Sequence, residues 1–497
     1  VNRPTGRFIL RSGCAGSKGS GPLQLSAFDF GGAGVPPALL PFSLYRPVQV
    51  YQTGQQLVRC CFCGVARRCA SCGAPIKENE FMPTTTTTGG FFIAYDDIYL
   101  LDGVRSPFVD YNSALGLVSP TDLGIKAARA IFERTKIPAQ DVGSVIAGSV
   151  AQASFDAYML PRHIGLYSGV PLDRPALLVQ RVCGTGMEAI SQAADAISLK
   201  KIELGLCVGA ESMSRNPIAA YTHRGGFRLG QVEFKDFLWE ALLDPAPGIT
   251  MGQTAENTAR QYKITREEVD RFAELSFTRA LAAQKSCFLS GEIVPLVSET
   301  FELAGYNPRG IRLPGKIESL AADTHIRPSS YEVLSKIRPA FDGVQTGGNS
   351  SAIVDGAAAA LVASGAYAKS RNIRPLARIA AVATVGVPPE IMSIAPAPAI
   401  RKLLDGAGLP LDAIDRFEIN EAFGAQIIGV ERELGLDRSK LNVNGGAIAI
   451  GHPLAATGIR LAVTVSRELR RSNLRFGIAS ACIGGGQGIA VLLEIPR

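Results

Sequence analysis

From Tyr99 onward the chain alternates short apolar runs with small-residue stretches at helical spacing, and this alternation narrows the possible fold more than any other feature. Tyr99–Asp102, Ser144–Val150, Ala176–Val182 and Leu204–Ala210 read as strands, with helices at Pro120–Thr135 and Met187–Leu199 between them. Such an order needs crossover connections, so it predicts βαβ units and a parallel sheet covered on both faces. Between Arg215 and Phe341 the texture changes to longer, charged helices. Thr265 and Glu268 fit a capping box, opening a helix to about Gln284 with Val269, Phe272, Ala273 and Phe277 on one face. Strand-like, Gly-rich texture returns at Thr346–Ala363, Leu376–Thr384, Phe417–Glu421, Leu441–Ile450 and Gly477–Leu493. The run Cys183, Met187–Leu199, Leu204–Ala210 is echoed by His452, Pro453–Leu469, Phe476–Cys482, which predicts two similar halves.

At 497 residues with 46% apolar and 19% charged content, the chain can bury several cores and is not a disordered polymer. The net charge of +7 is local: 9 of the 51 Lys/Arg but only 3 of the 44 Asp/Glu fall before Met82, leaving 42 against 41 in the remainder. A nearly neutral body argues against nucleic acid as partner. The longest uncharged runs, Phe476–Leu493 and Asn442–Ile459, are broken by glycines and polar residues, so no membrane span is expected. Six of ten cysteines also lie before Met82, and the other four are too scattered for a disulfide scaffold, which favours a reducing, cytoplasmic setting. Met82 is the first methionine, and the stretch before it has three readings: sequence outside the translated protein, an Arg-bearing targeting segment, or a zinc site. The last rests on the thiolate pairs Cys60/Cys63 and Cys69/Cys72, whose short separation counts against it.

Few residues in the body combine reactivity with a suggestive position. Cys183 follows an apolar run and precedes a helix, where a helix N-terminus favours thiolate. Two other readings compete there: a buried structural cysteine, and a dinucleotide loop, since Gly184-Thr185-Gly186-Met187-Glu188-Ala189 approximates G-x-G-x-x-A. His452 precedes Pro453, a residue suited to a first helical position, so it is expected as an N-cap whose imidazole stays neutral beside the dipole. The spacing Gly446-x4-Gly451 mimics a phosphate loop, but His452-Pro453 replaces the required Lys-Ser/Thr. Cys482 opens Cys482-Ile483-Gly484-Gly485-Gly486, where glycines let backbone N–H groups approach a ligand. Asn420, after another strand, offers an amide able to hold a water or an oxyanion. Cys207, Cys287, His163, His223 and His325 have ordinary core or surface readings.

Together, Gln180-Arg181-Val182-Cys183-Gly184-Thr185-Gly186, Asn420-Glu421-Ala422-Phe423, Asn444-Gly445-Gly446-Ala447-Ile448-Ala449-Ile450-Gly451-His452-Pro453 and Cys482-Ile483-Gly484-Gly485-Gly486 resemble the thiolase family in content, order and spacing. The similarity runs from about Ile98 to Arg497 and includes Leu101–Pro107, Glu211–Ser214, Met251–Asn257, Arg338–Phe341 and Thr346–Ser351. It implies a five-layered αβαβα fold of two halves, with a helical coenzyme A-binding loop domain inserted in the first. The expected organisation is an extension at 1–93, an N-terminal half at 94–369 containing the loop domain at 215–341, and a C-terminal half at 370–497.

The resemblance also implies roles. Cys183 matches the acyl-accepting nucleophile, His452 its activating base, and Cys482 the second acid/base. Asn420 would fix a water that shares one oxyanion hole with His452, and backbone N–H groups of Cys183 and Gly484 would form the other. Arg327 matches the adenine end of coenzyme A, Ser351 the pantetheine, and Met251, Phe341 and Phe423 the acyl and pantetheine channel. Gln180 stands where Asn is usual, and Thr250 where many acetoacetyl-specific members carry His, which leaves chain length open. The implied activity is reversible acetyl-CoA C-acyl transfer in fatty acid metabolism, by a homodimer or homotetramer, with CoA as substrate and no metal or redox cofactor. The residue set suits that chemistry: a soft nucleophile, its base, a proton source for a carbanion, and donors for two oxyanions. The rival readings are a decarboxylating condensing enzyme of the same superfamily, an NAD-dependent oxidoreductase, and a non-catalytic CoA- or acyl-binding relative.

Overall fold

The computed structural model describes residues 89–151, 157–220 and 223–496. The cysteine pairs considered for zinc and the methionine at 82 lie outside the described residues. The first half runs β1 (Phe91–Ala94), β2 (Ile98–Arg105), α1 (Pro120–Thr135), β3 (Ser144–Gly148), α2 (Leu160–Tyr167), β4 (Ala176–Leu178), α3 (Thr185–Ser198) and β5 (Leu204–Glu211). An insertion carrying α4 (Met251–Gln261) and α5 (Arg266–Lys285) precedes β6 (Val354–Ser364). The second half contains β7 (Ala377–Gly386), α6 (Pro396–Ala407), β8 (Arg416–Ile419), α7 (Gly424–Leu434), α8 (Leu454–Arg471), β9 (Phe476–Ile483) and β10 (Gln487–Glu494). The strand at 91–94 pairs antiparallel with β7, so the boundary expected at residue 94 falls inside a paired strand.

The internal echo is borne out in topology. Across the first half the strands lie in the order β4-β3-β5-β6-β2, and across the second in the order β8-β9-β10-β7, with Leu441 bridging in parallel to Phe417 on the outer side of β8. Counted along each half, both read third, second, fourth, fifth, first. The two blocks join where Tyr99 and Leu100 of β2 meet Arg378 and Ala377 of β7, which also takes β1 on the same edge. Alternation along β6 separates two cores: Ala357, Ala359, Leu361 and Ala363 face the layer of α1 and α2, whereas Val354, Ala358, Ala360 and Val362 face the core containing α3 and α8. On the far side α6 covers β7 and β10, which completes the expected five layers.

Two glycines set the middle layer. A methyl group at Gly458 would lie 2.3 Å from the backbone nitrogen of Met187, and one at Gly186 would lie 2.6 Å from that of Ile459. Backbone therefore packs on backbone where α3 crosses α8, and only glycine fits. This contact also removes the dinucleotide-loop reading, because Gly186 is spent on helix packing rather than on an approach to a pyrophosphate.

Several local expectations are corrected. Leu441–Ile450 is not a strand: Leu441 alone pairs, and Ala447–Ile450 form one helical turn, since the glycine pair before them breaks the extended run. The strand expected from Thr346 begins only at Val354, because the Asn349 amide closes a turn onto the Thr346 N–H and the Val344 carbonyl. Gly477–Leu493 is a hairpin, folded at Gly485 and Gly486, whose φ values of 82° and 76° admit glycine readily. The insertion is helical only in part, with short antiparallel ribbons such as Ile218–Ala220 with Phe234–Asp236 and Glu299–Phe301 with Arg309–Ile311. Its long helix follows the sequence closely: the Thr265–Glu268 capping box is formed, and Val269, Phe272, Ala273 and Phe277 are buried.

Candidate active site

Cys183 sits in a single 3-10 turn, Val182–Gly184, between the end of β4 and α3. Val182 has φ of 39°, a conformation that costs a β-branched residue of order 1–3 kcal/mol. The turn is clamped on both sides. The Thr185 hydroxyl donates to Val182 O at 2.8 Å and accepts from Arg181 N at 2.9 Å, while Arg181 pairs with Glu188 at 2.7 Å and reaches Gln487 at 3.0 Å. Gly484, in the β9–β10 hairpin, turns its N–H toward the Cys183 side and so favours the thiolate there. The same hairpin puts Ile483 against the turn, where a methyl group at Gly184 would meet it at 2.5 Å.

Burial pushes the Cys183 thiol up to about 11; the N–H groups of Gly484 and of Cys183 itself oppose this, and the Glu211 carboxylate adds to it. The sequence argument from the helix dipole foresaw a lowered thiol. Desolvation of a side chain only 6% exposed outweighs it. Cys482 is fully buried, and its thiol is raised by burial and then by the nearby Cys183 charge, so the two sulfurs feel each other. Glu211 lies behind the nucleophile, accepting from Ser149 Oγ and from the backbone N–H groups of Val150, Ala151 and Ala455, and so ties the 149–151 loop to the first turn of α8.

His452 is not the helix cap. Pro453 takes that position, with its carbonyl accepting from Thr457 N, and His452 lies one residue earlier in a bend at Gly451, whose φ is 107°. Its Nδ1 lies 2.6 Å from Thr457 Oγ1, which in turn donates to Pro453 O at 3.3 Å. The proton is thereby assigned to Nδ1, leaving Nε2 as the acceptor nitrogen. Nε2 lies 3.3 Å from the Asn420 amide nitrogen, and Asn420 Oδ1 is buried without a partner among the described residues. An orphaned buried acceptor there suits a bound water. The imidazole is held down to about 3 chiefly by burial and then by Arg460, so the expected neutrality holds, for a reason other than the helix dipole.

These groups border one cavity of about 470 Å³. Met251, Phe341, Ser351, Phe423 and His452 line it, as do Thr250, Trp239 and Leu242. Cys183 and Cys482 do not form its lining surface. Cys183 packs with Met213 and Leu454, and Cys482 with Met251, so each sulfur lies behind a wall residue of the same cavity. Arg327 is not in the wall; its guanidinium stacks over Phe277 at 5.7 Å and lies 3.2 Å from His325 Nδ1. His325, read from sequence as ordinary, does line the cavity and bonds Asp110 at 2.6 Å. No motif marks it, and only its closeness in sequence to Arg327 could have drawn attention. Cys207 is a core residue, with its sulfur on Ala189 O, and Cys287 is exposed.

A duplicated α/β enzyme, with a buried cysteine before one central helix and a buried neutral histidine before its counterpart, is the class that fold and site define. The chain belongs to the thiolase family: the family model for thiolase, N-terminal domain, matches residues 98–366, and that for thiolase, C-terminal domain, matches 373–495. It is 41% identical over 401 residues to human mitochondrial 3-ketoacyl-CoA thiolase, spanning 80% of this chain and 98% of the relative. It is 39% identical over 408 residues to an acetyl-CoA acetyltransferase of Pseudomonas aeruginosa, spanning 80% and 99%. The crystal structure of the human mitochondrial enzyme in complex with CoA superposes with a TM-score of 0.75 at 41% identity, covering 80% of this chain and 97% of that one. The protein is a thiolase-type acyltransferase.

Proposed function

We propose that the protein cleaves 3-oxoacyl-CoA with CoA, giving acetyl-CoA and a shortened acyl-CoA, and runs the reverse Claisen condensation. His452 Nε2 takes the Cys183 proton as sulfur adds to the C3 ketone; the C2–C3 bond breaks, and the acetyl-CoA carbanion takes its proton from Cys482. Cys482 then deprotonates CoA, whose sulfur attacks the acyl group on Cys183; the adduct expels the Cys183 sulfur, which recovers its proton from His452, and the shortened acyl-CoA leaves. A water on Asn420 together with His452 Nε2 serves the acetyl-CoA enolate oxygen, and the N–H groups of Cys183 and Gly484 serve the oxyanion at C3. These steps call on no metal or redox cofactor.

The observation that carries this reading is the packing of the β9–β10 hairpin on the nucleophile turn, where a methyl group at Gly184 would meet Ile483 at 2.5 Å, so that Cys482 and Cys183, distant in sequence, lie within each other's field. Binding roles follow the cavity: Met251, Phe341 and Phe423 beside the acyl and pantetheine groups, Ser351 at the pantetheine, and Arg327 outside the wall at the adenine end. The test is a thiolysis series on 3-oxoacyl-CoA substrates from short to long tails, read as acetyl-CoA formed. Consumption of malonyl-CoA would favour a decarboxylating enzyme instead, and a Cys183 that never acylates would favour a non-catalytic binder.

The proposed assembly is a homodimer or homotetramer. Among the described residues edge strand β4 has no partner on its outer side, and Leu177 there is 47% exposed, a surface suited to strand addition by a second copy. Light scattering of the purified protein tests this. The proposed compartment is the cytoplasm, on the four free thiols among the described residues; relatives named as mitochondrial make fractionation the deciding experiment. No nucleic acid partner is proposed. Among the described residues no helix is long and apolar enough to cross a membrane.

A further inference from the structure

Away from the acyl-CoA cavity, the last turns of α8 form one wall of a second recess of about 410 Å³, lined by Arg467, Arg470, Arg471, Cys287, Phe288 and Leu376. Arg467 and Arg471 stack over the Phe288 ring at 5.9 and 4.4 Å, which gathers two guanidinium groups on one aromatic face. Their neutralisation is unequal. Arg471 is paired with Glu468. Arg470 is held by the backbone carbonyls of Leu376 and Pro375, which fix its position but leave its charge uncompensated. Among the described residues Arg467 has no hydrogen-bond acceptor or ion pair, and its Nε is buried without a partner there.

The surrounding charges remedy this only in part. Glu292 and Asp102 act on Arg467 from a distance against Arg134, while Arg374 adds positive potential at Arg470. The nearby carboxylates are engaged elsewhere: Asp102 with Arg134, and Glu292 with Arg105 and with the Thr464 hydroxyl. A half-buried cation with an unmet donor, among further cations, gains from an incoming anion what a solvated surface arginine would not.

We propose that this recess is a binding site for a small phosphorylated metabolite, separate from the acyl-CoA cavity, with Arg467 as the principal contact and Arg470 and Arg471 completing a positive wall. Its lining shares no residue with that cavity, so the two sites are distinct. Cys287 supplies a built-in reporter, because its exposed thiol lies in the same wall.

The test compares alkylation of Cys287 by anionic iodoacetate and neutral iodoacetamide in the full-length protein, followed by peptide mass spectrometry. The expected iodoacetate-to-iodoacetamide preference falls about fivefold in Arg467→Gln, the factor one unit charge at contact distance gives in water. Inorganic pyrophosphate is expected to slow iodoacetate alkylation of the wild type at matched ionic strength and to leave Arg467→Gln unaffected. Titration calorimetry with pyrophosphate should show one site per chain, lost in the variant, while citrate in its place distinguishes general anion capture from phosphate recognition. An unchanged preference in Arg467→Gln, no protection beyond that of sodium chloride, or equal binding of citrate would each overturn the proposal.

Discussion

The Nδ1 of His452 and the hydroxyl of Thr457 lie 2.6 Å apart, so the fourth residue of the central helix fixes the tautomer of an imidazole outside it. Because Thr457 also donates to Pro453 O, it receives the histidine proton rather than giving one. Thr457→Val keeps the shape and removes that acceptor. We expect kcat to fall about ten- to hundredfold with little change in KM, as for other misoriented catalytic bases. An unchanged kcat in a thiolysis assay would show that ring packing alone orients His452.

The roles proposed for the two cysteines separate by half-reaction. Cys183→Ala should abolish both thiolysis and condensation. Cys482→Ala should still acylate Cys183 from acyl-CoA, visible as a mass increment on that peptide, yet lose about 100- to 10,000-fold in turnover. Normal thiolysis by Cys482→Ala would remove it from the mechanism.

With the thiol raised to about 11 and the imidazole lowered to about 3, the resting site holds neutral partners rather than a thiolate–imidazolium pair. Alkylation of Cys183 by iodoacetamide should therefore climb about tenfold per pH unit from pH 7 to 9 without a plateau. A flat profile over that range would mean an ion pair at rest. The sign for stability follows from the same residue. His452 stays neutral in the fold while its unfolded form takes up a proton near the ordinary value, so its contribution is present above about pH 6.5 and is lost as pH falls toward 3.

Trp239, the single tryptophan of the chain, lines the cavity beside His452 and is 54% exposed. Occupancy of the cavity should shield the ring and shift its emission to shorter wavelength in a saturable way on titration with CoA. Emission that does not respond to CoA would place the ligand elsewhere.

Gly458→Ala sets two effects against each other. Inside an exposed helix the change stabilises by about 1 kcal/mol, but here the new methyl would lie 2.3 Å from the nitrogen of Met187. The clash should win, costing about 1–3 kcal/mol or more and lowering the melting temperature measured by calorimetry. A raised melting temperature would show that α3 and α8 can separate freely.

The sequence made some elements legible because their determinants are local. The Thr265–Glu268 capping box and its buried face carry their own signal, and Pro120–Thr135 is a helix over the expected span. The thiolase motifs located Cys183, His452, Cys482 and Asn420 because each follows a strand or borders a glycine-rich turn. What escaped depends on contacts from afar. The raised Cys183 thiol comes from burial among residues of both halves, and the positive φ of Val182 leaves no mark in composition. His325 gains its place through Asp110, far upstream. The second half's third strand shrank to Leu441 because Gly445 and Gly446 turn the chain toward Glu421 and His452, a tertiary demand that apolar periodicity cannot express.

The paired glycines at 186 and 458 bear on descent as well as on packing. Each half contributes one reactive residue at the head of a helix that touches its counterpart main chain to main chain, so a bulkier residue on either side displaces both heads together. The repeated strand order of the halves is what a doubling would leave, and a side chain added at either glycine would be felt in both halves at once.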